Sequence, residues 1–259
     1  MSSESIPKLL KLKDYITLLG TTIGIIALVC ATIGTRAFLS LGFFLISITL
    51  GTDLIDGYIA RKTGTINEMG KELDSLSDSL TFGIVPAVLT YQSFKTGTFY
   101  DIVILIGAIC FAFGALLRLA RFNISKSPGY TGVPTPLSAL MLITYFYANY
   151  FYAFARGDLN YPFPEISSYL IPLILALIGW FNITTFIHFG EKDKIIYIIF
   201  IIFAPLCPIF GIIGISSPNF IVSSIASIFF LSAFLLGFIL IIRGFIMYLI
   251  KGRMEKKPS

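Results

Sequence analysis

Charged residues are scarce in this chain of 259 residues, and their scarcity argues against a water-soluble fold. Only 13% of the residues are Asp, Glu, Lys or Arg, whereas 56% are hydrophobic. A soluble domain averages about a quarter charged residues, which cover its surface. The composition therefore predicts a single integral membrane domain over 1–259, surrounded by membrane lipids. We expect no nucleic-acid partner.

Cysteine and histidine are also rare. Cys30, Cys110 and Cys207 each lie in an apolar run without the spacing of a metal site, and we interpret them as small packing residues. The one histidine, His188, and the one tryptophan, Trp180, lie in or near a span end, where interfacial packing explains them. None of these residues falls in the acidic segment described below, so that segment contains no thiol or imidazole nucleophile.

The N-terminal segment lacks the pattern of a cleavable signal peptide, because the apolar run after Lys13 is too long. Leu9 and Leu10 lie on one face of a possible helix, with Lys8 and Lys11 beside them. This pattern indicates a short interfacial helix at about 5–13.

Long apolar segments fill the rest of the chain. A transmembrane helix needs about 20 mostly apolar residues. The sequence predicts an all-α, polytopic bundle of about eight such spans: 14–33, 36–60, 73–94, 102–123, 133–155, 166–188, 194–215 and 220–249.

The basic residues divide unequally between the two ends of these spans. Sixteen of the 19 Lys and Arg residues lie at span ends on the same side of the membrane as the two termini. The other three, Arg36, Lys95 and Arg156, lie at span ends on the opposite side. Basic residues are enriched in cytoplasmic loops. Both termini are therefore predicted to be cytosolic, in a cell-membrane protein. Six spans are the alternative if the last two segments are divided wrongly.

Four aspartates interrupt the second and third spans. Asp53 and Asp56 are spaced i, i+3, and Asp74 and Asp78 are spaced i, i+4, so each pair shares one helix face. Asp53 lies eight residues before Arg61, and Asp78 lies eight residues after Gly70, where Arg61 and Gly70 mark the two ends of the loop. In an antiparallel pair of helices, both aspartates would therefore lie at a similar depth, about 12 Å from the loop. An ionisable residue inside a membrane is a functional candidate by default. We expect the four carboxylates to meet near the cytosolic face.

Clustered carboxylates need cations to offset their repulsion. Oxygen-only ligands suit hard ions, and two ions held close together suit phosphoryl chemistry. The pattern therefore predicts two divalent ions, Mg²⁺ or Mn²⁺, with Ca²⁺ as a further possible occupant. Gly57, Ala60 and Gly70 are small enough for a substrate to approach the helices closely. Tight helix packing is the alternative explanation for these small residues.

This segment resembles the CDP-alcohol phosphatidyltransferase family. The family pattern is D-x2-D-G-x2-A-R, eight or nine residues, then G-x3-D-x3-D. This chain matches all of it, with the residues Asp53, Asp56, Gly57, Ala60, Arg61, Gly70, Asp74 and Asp78. The resemblance implies that the four aspartates bind the metals and that Asp78 is the general base. It also implies a homodimer.

The same resemblance implies how the substrate is bound. All of these motif residues except Asp78 would contact a CDP-lipid, with Gly57, Ala60 and Arg61 lining the pocket for its cytidine and phosphates. CMP is the group that would leave.

Three further blocks look like the serine-transferring branch of that family. They are DSLSDSLTFGIVPA from Asp74, RLARFN from Arg118 and YTGVPTP from Tyr130. The branch implies L-serine as the acceptor. Arg118, Arg121 and Asn123 are the acceptor-binding candidates, because arginine suits a carboxylate through paired hydrogen bonds. Arg121 is the stronger arginine candidate, and a role as a basic membrane anchor is the alternative for both.

Two other functions remain compatible with the sequence. Glycerol 3-phosphate, inositol phosphate or another alcohol could replace serine, although those branches often have a proline where Ser75 stands. A cation transporter could use the four aspartates as its ion site. The spans do not show the paired broken helices that many transporters have.

Overall fold

The computed structural model of the protein describes residues 10–63, 68–124, 130–189, 209 and 220–254. Within these ranges the chain is helical apart from loops and one pair of two-residue strands. The helices are α1 (Leu12–Ile33), α2 (Arg36–Thr63), α3 (Glu68–Asp78), α4 (Val85–Phe94), α5 (Tyr100–Ile124), α6 (Thr135–Arg156), α7 (Glu165–Ile183) and α8 (Phe220–Met254). The strands β1 (Tyr130–Thr131) and β2 (His188–Phe189) pair antiparallel and join two loops. The predicted all-α class is confirmed.

Helix α6 is buried in the core of the bundle. Seventeen of its 22 residues are buried, and α8 packs along it. The ring of Phe146 stacks on Phe43 of α2 with 4.2 Å between centroids, and Tyr147 contacts Phe230 of α8 at 5.3 Å. Because protein covers α6, this helix accommodates buried polar side chains such as Asn149, whose amide donates to a backbone carbonyl of its own helix.

Five of the described helices are long and apolar enough to cross a membrane. They cover Leu12–Ile33, Arg36–Asp56, Tyr100–Ile124, Glu165–Ile183 and Phe220–Ile250. The predicted spans 73–94 and 133–155 are also helical, but the first carries two aspartates and the second is the buried α6. The predicted span 194–215 lies outside the described residues except for Ile209. The count of eight stays a prediction.

Two predicted boundaries differ from the structure. The span expected over 166–188 ends at Ile183, because Thr184 takes an extended conformation and His188 joins strand β2. The interfacial helix expected at 5–13 falls mostly outside the described residues. Its described part is not a separate helix, since Leu10 and Lys11 precede α1 and the next two residues belong to α1.

Helices α5 and α7 approach each other at glycines. A Cβ added at Gly114 would collide with the backbone of Gly179, and one added at Gly107 would lie 2.9 Å from the carbonyl oxygen of Pro172. Small residues allow helix backbones to approach closely in membranes. This contact fixes α5, and with it the arginines at its end, against α7.

Candidate active site

Three carboxylates converge between α2 and α3. Asp53 and Asp56 lie on α2, Asp74 lies on α3, and one oxygen from each lies within 4.8 Å of the other two. Asp56 is buried, whereas the other two are partly exposed. The i, i+3 spacing on α2 directs both of its carboxylates toward α3.

Asp78 lines the same cavity one helical turn beyond Asp74. The cavity is also lined by Thr17, Thr52 and Ser77.

A π-helical segment, Ser79–Ile84, follows Asp78 directly and joins α3 to α4. Short π-helical segments inside α-helices are frequent at functional sites, because the wider turn changes the direction of the side chains beside it. Two residues of this segment, Thr81 and Phe82, line the acidic cavity. The change of helix type thus lies at the last aspartate of the motif.

Arg118 is the buried arginine on the α5 side of the site. Its exposed fraction is 6%, and its guanidinium donates to the hydroxyl of Thr135 at 3.1 Å. Thr135 is the first residue of α6, so Arg118 connects α5 to the start of that helix.

Arg121 extends instead to the C-terminal end of α7. Its guanidinium donates to the backbone carbonyls of Ile183, at 2.6 Å, and Asn182, at 3.4 Å. Carbonyls at a helix C-terminus lack partners within the helix, and a cation there is favourable. These contacts join the end of α5 to α7, and acceptor binding by Arg121 stays a prediction.

Asn123 connects the end of α5 to the acidic helix α3. Its side chain accepts from Ser75 at 3.0 Å and donates to Glu72 at 3.3 Å, while Lys71 donates to its backbone carbonyl at 3.2 Å. Ser75 is adjacent to Asp74 in sequence. Asn123 therefore helps to hold the helix that carries two of the aspartates.

A family model described as CDP-alcohol phosphatidyltransferase matches residues 10–239. The match includes every element that builds the acidic cavity. The chain belongs to the CDP-alcohol phosphatidyltransferase family.

Several members of the CDP-alcohol phosphatidyltransferase family are similar to this chain in sequence. A CDP-diacylglycerol–serine O-phosphatidyltransferase of Methanocaldococcus jannaschii is 35% identical over 190 residues, covering 68% of this chain and 87% of that protein. An archaetidylserine synthase of Methanothermobacter thermautotrophicus is 34% identical over 157 residues, covering 59% of this chain and 64% of that protein. A CDP-diacylglycerol–serine O-phosphatidyltransferase of Bacillus subtilis is 38% identical over 94 residues, covering 35% of this chain and 51% of that protein.

The other residues of the family motif lie around the loop between α2 and α3. Gly57, Ala60 and Arg61 are in the last turns of α2, where the structure describes the backbone but not the side chains. Gly70 is buried in α3, one turn before Asp74. Their roles in binding a CDP-lipid stay predictions.

The donor set of the cavity fits the divalent cations that this family uses. The three convergent groups are all carboxylates, with an oxygen separation that allows them to share an ion. Hard oxygen ligands select Mg²⁺, Mn²⁺ or Ca²⁺ over metals that prefer sulfur or imidazole. Asp53, Asp56 and Asp74 are therefore the residues that would hold a metal in this protein.

Helix α1 supplies polar groups that the sequence analysis did not identify. Thr17 donates to Asp56 at 2.7 Å, and Thr21 donates to Ser77 at 2.8 Å. Lys13 and Asp14 form a buried ion pair of 3.1 Å on the same helix. The signal available in the sequence was the i, i+4 spacing of Lys13, Thr17 and Thr21 on one face of an otherwise apolar helix.

Proposed function

We propose that this protein transfers a phosphatidyl-type group from a CDP-activated lipid to the hydroxyl of L-serine and releases CMP. The acidic cavity carries the proposal, because a reaction at a diphosphate needs concentrated cation-binding groups beside the reacting phosphorus. The names of the relatives support serine as the acceptor. One relative is named for an archaetidyl product, so the donor could have diacylglycerol or ether-linked tails.

The four aspartates have two tasks in this proposal. Asp53, Asp56, Asp74 and Asp78 would hold two divalent cations, Mg²⁺ or Mn²⁺, which neutralise the diphosphate charge when bound. Asp78 would also accept the proton of the serine hydroxyl, because a hydroxyl is a weak nucleophile until a base takes its proton.

The reaction is proposed to be one in-line displacement. The serine oxygen forms a bond to the phosphorus that bears the lipid, the bond from that phosphorus to the CMP oxygen breaks, and the serine proton passes to Asp78. A metal-ligating carboxylate is a poor nucleophile, because the ion draws its negative charge away. The lipid product carries a phosphoserine headgroup, and CMP leaves with the bonding electron pair.

Acceptor recognition is assigned to the cytosolic end of α5. Arg118 is a buried arginine near this end of the helix, and its guanidinium could pair with the serine carboxylate. Asn123 holds Ser75 and Glu72 of α3, so it would act on the acceptor through the position of that helix. Arg121 would act by fixing the end of α7.

The proposed orientation puts the site on the cytosolic side of the membrane. It combines about eight spans with both termini in the cytosol, as the distribution of basic residues favours. A homodimer stays a prediction from the family resemblance, and cross-linking of the protein in membranes would test it.

An acceptor panel with purified protein tests the proposed reaction. With a CDP-lipid and Mg²⁺ or Mn²⁺, we expect CMP release to be much faster with L-serine than with glycerol 3-phosphate, inositol or inositol phosphate. EDTA should abolish it, and Asp53→Asn should lower it at least about 100-fold. Asp158→Asn, at an exposed loop position, is the matched control. A faster rate with another acceptor would contradict the serine assignment, and full activity without metal would contradict the metal site.

A further inference from the structure

A threonine of α1 contacts one of the metal-binding candidates of the cavity. Thr17 lines the cavity, has an exposed fraction of 5%, and places its Oγ1 2.7 Å from Oδ2 of Asp56. Thr17 lies 39 positions from Asp56 and outside the family motif.

The hydroxyl proton of Thr17 points to Asp56. A threonine hydroxyl has one proton to donate, and two acceptors lie near it: Asp56 at 2.7 Å and the backbone carbonyl of Lys13 at 3.2 Å. A hydrogen bond to an ionised carboxylate is stronger than one to a neutral carbonyl, and here it is also the shorter. The Thr17–Asp56 bond is therefore the one that forms when the carboxylate is charged.

We propose that Thr17 is a positioning residue that orients the Asp56 carboxylate toward the bound cations. This inference rests on the proposed function. The carboxylates of Asp53 and Asp74 approach that of Asp56 within 4.8 Å, and their repulsion favours rotation of Asp56 away from the cluster. A bond to one oxygen fixes the plane of the carboxylate, and with it the direction of the second oxygen.

The neighbouring threonines of α1 have different partners, which makes them useful for comparison. The hydroxyl of Thr21 has two neutral acceptors, the hydroxyl of Ser77 at 2.8 Å and the backbone carbonyl of Thr17 at 2.9 Å. Thr22 is exposed and donates at 2.9 Å to the carbonyl of Leu18, one turn back on its own helix. Thr22→Val therefore removes a threonine hydroxyl from the same helix without altering the acidic cavity.

The test measures metal binding rather than turnover. Purified full-length protein in detergent is titrated with Mn²⁺, and free Mn²⁺ is followed by its electron paramagnetic resonance signal. Thr17→Val replaces the hydroxyl with a methyl of similar size and should raise the Kd for Mn²⁺ about tenfold or more, as loss of such an outer partner does elsewhere. Thr17→Ser keeps the donor and should bind like the wild type, as should Thr22→Val.

The outcomes separate this inference from the proposed function. Wild-type affinity for Mn²⁺ in Thr17→Val would overturn the role of Thr17 and leave the serine transfer untouched. A wild-type protein that binds no Mn²⁺ would overturn both the metal site and this inference, and the acceptor panel would then decide whether transfer occurs without metal. If Thr17→Val aggregates on size exclusion, Thr17→Ala takes its place with the same expected loss.

Discussion

Several polar side chains of the helices around the acidic cavity are paired with one another. Thr17 bonds to Asp56, Lys13 pairs with Asp14, and Arg118 bonds to Thr135. An unpaired polar or charged group among apolar helices raises the free energy of the folded protein by roughly several kcal/mol. Each of these contacts therefore reduces the free-energy cost of burying polar groups around the site. The acidic cavity is therefore supported by a shell of partners from α1, α5 and α6, in addition to the two helices that carry the aspartates.

The two arginines of α5 should respond differently to a change from arginine to lysine. Lysine keeps the positive charge but loses the paired geometry of the guanidinium. Arg118→Lys should raise the KM for serine about tenfold, as expected for loss of a charged hydrogen bond, with a smaller effect on the KM for the CDP-lipid. Arg121→Lys should mainly lower the thermal stability, because its carbonyl partners belong to α7.

Steady-state kinetics and thermal unfolding of both variants check this prediction. If Arg121→Lys instead raises the serine KM and Arg118→Lys does not, the acceptor site lies nearer to α7 than we propose.

At the residue scale, the sequence predicts contacts between groups that share a helix and misses contacts between helices. The pairing of Asp53 with Asp56 follows from a spacing of three, since such residues share one helix face. The bond from Thr17 to Asp56 spans 39 positions and depends on how α1 packs on α2. The different partners of Arg118 and Arg121 depend on tertiary packing in the same way, because both residues lie at one end of one helix.

At the scale of elements, close helix packing positions the site. Helix α1 packs along α2, α5 along α7 and α6 along α8. The π-helical segment after Asp78 packs against α5, and Gly83 of that segment leaves room for Ala115, which would lie 3.2 Å from an added Cβ. Apolar run length predicted most of these helices. The π-helical segment was not predictable, because its residues have the same apolar character as an α-helix.

The contact between α5 and α7 should be sensitive to one added methyl group. A Cβ at Gly114 meets the backbone of Gly179, which cannot move aside as a side chain can. Gly114→Ala should therefore cost about 1–3 kcal/mol, as overpacking does, and lower the Tm in detergent by at least about 2 °C. Gly51→Ala is the control, because a Cβ added there meets no atom within 4 Å. Equal Tm values for both variants would contradict the tight α5–α7 contact.

At the scale of the whole molecule, the acidic cavity and most basic residues belong to the same predicted side of the membrane. The cavity lies between α2 and α3, and the turn before α5 follows the far end of α4. Lys95 begins that turn, where Asp101 accepts hydrogen bonds from the backbone of Thr96 and Gly97. The charge of the sequence alone predicts on which side of the membrane each loop lies. The five apolar helices establish only which segments can cross the membrane.

Cysteine accessibility can test this orientation in intact cells. Cys30, Cys110 and Cys207 are replaced by alanine, and single cysteines are introduced as Lys62→Cys and Lys95→Cys, both at exposed positions. A membrane-impermeant maleimide should label Lys95→Cys from outside, since the third span would carry that residue away from the cytosol. Lys62→Cys should react only after the membrane is permeabilised, because it adjoins the proposed cytosolic site. The opposite pattern would put the acidic cavity on the outer side, where the cell supplies no CDP-activated lipid, and would therefore count against the transfer reaction as well as the orientation.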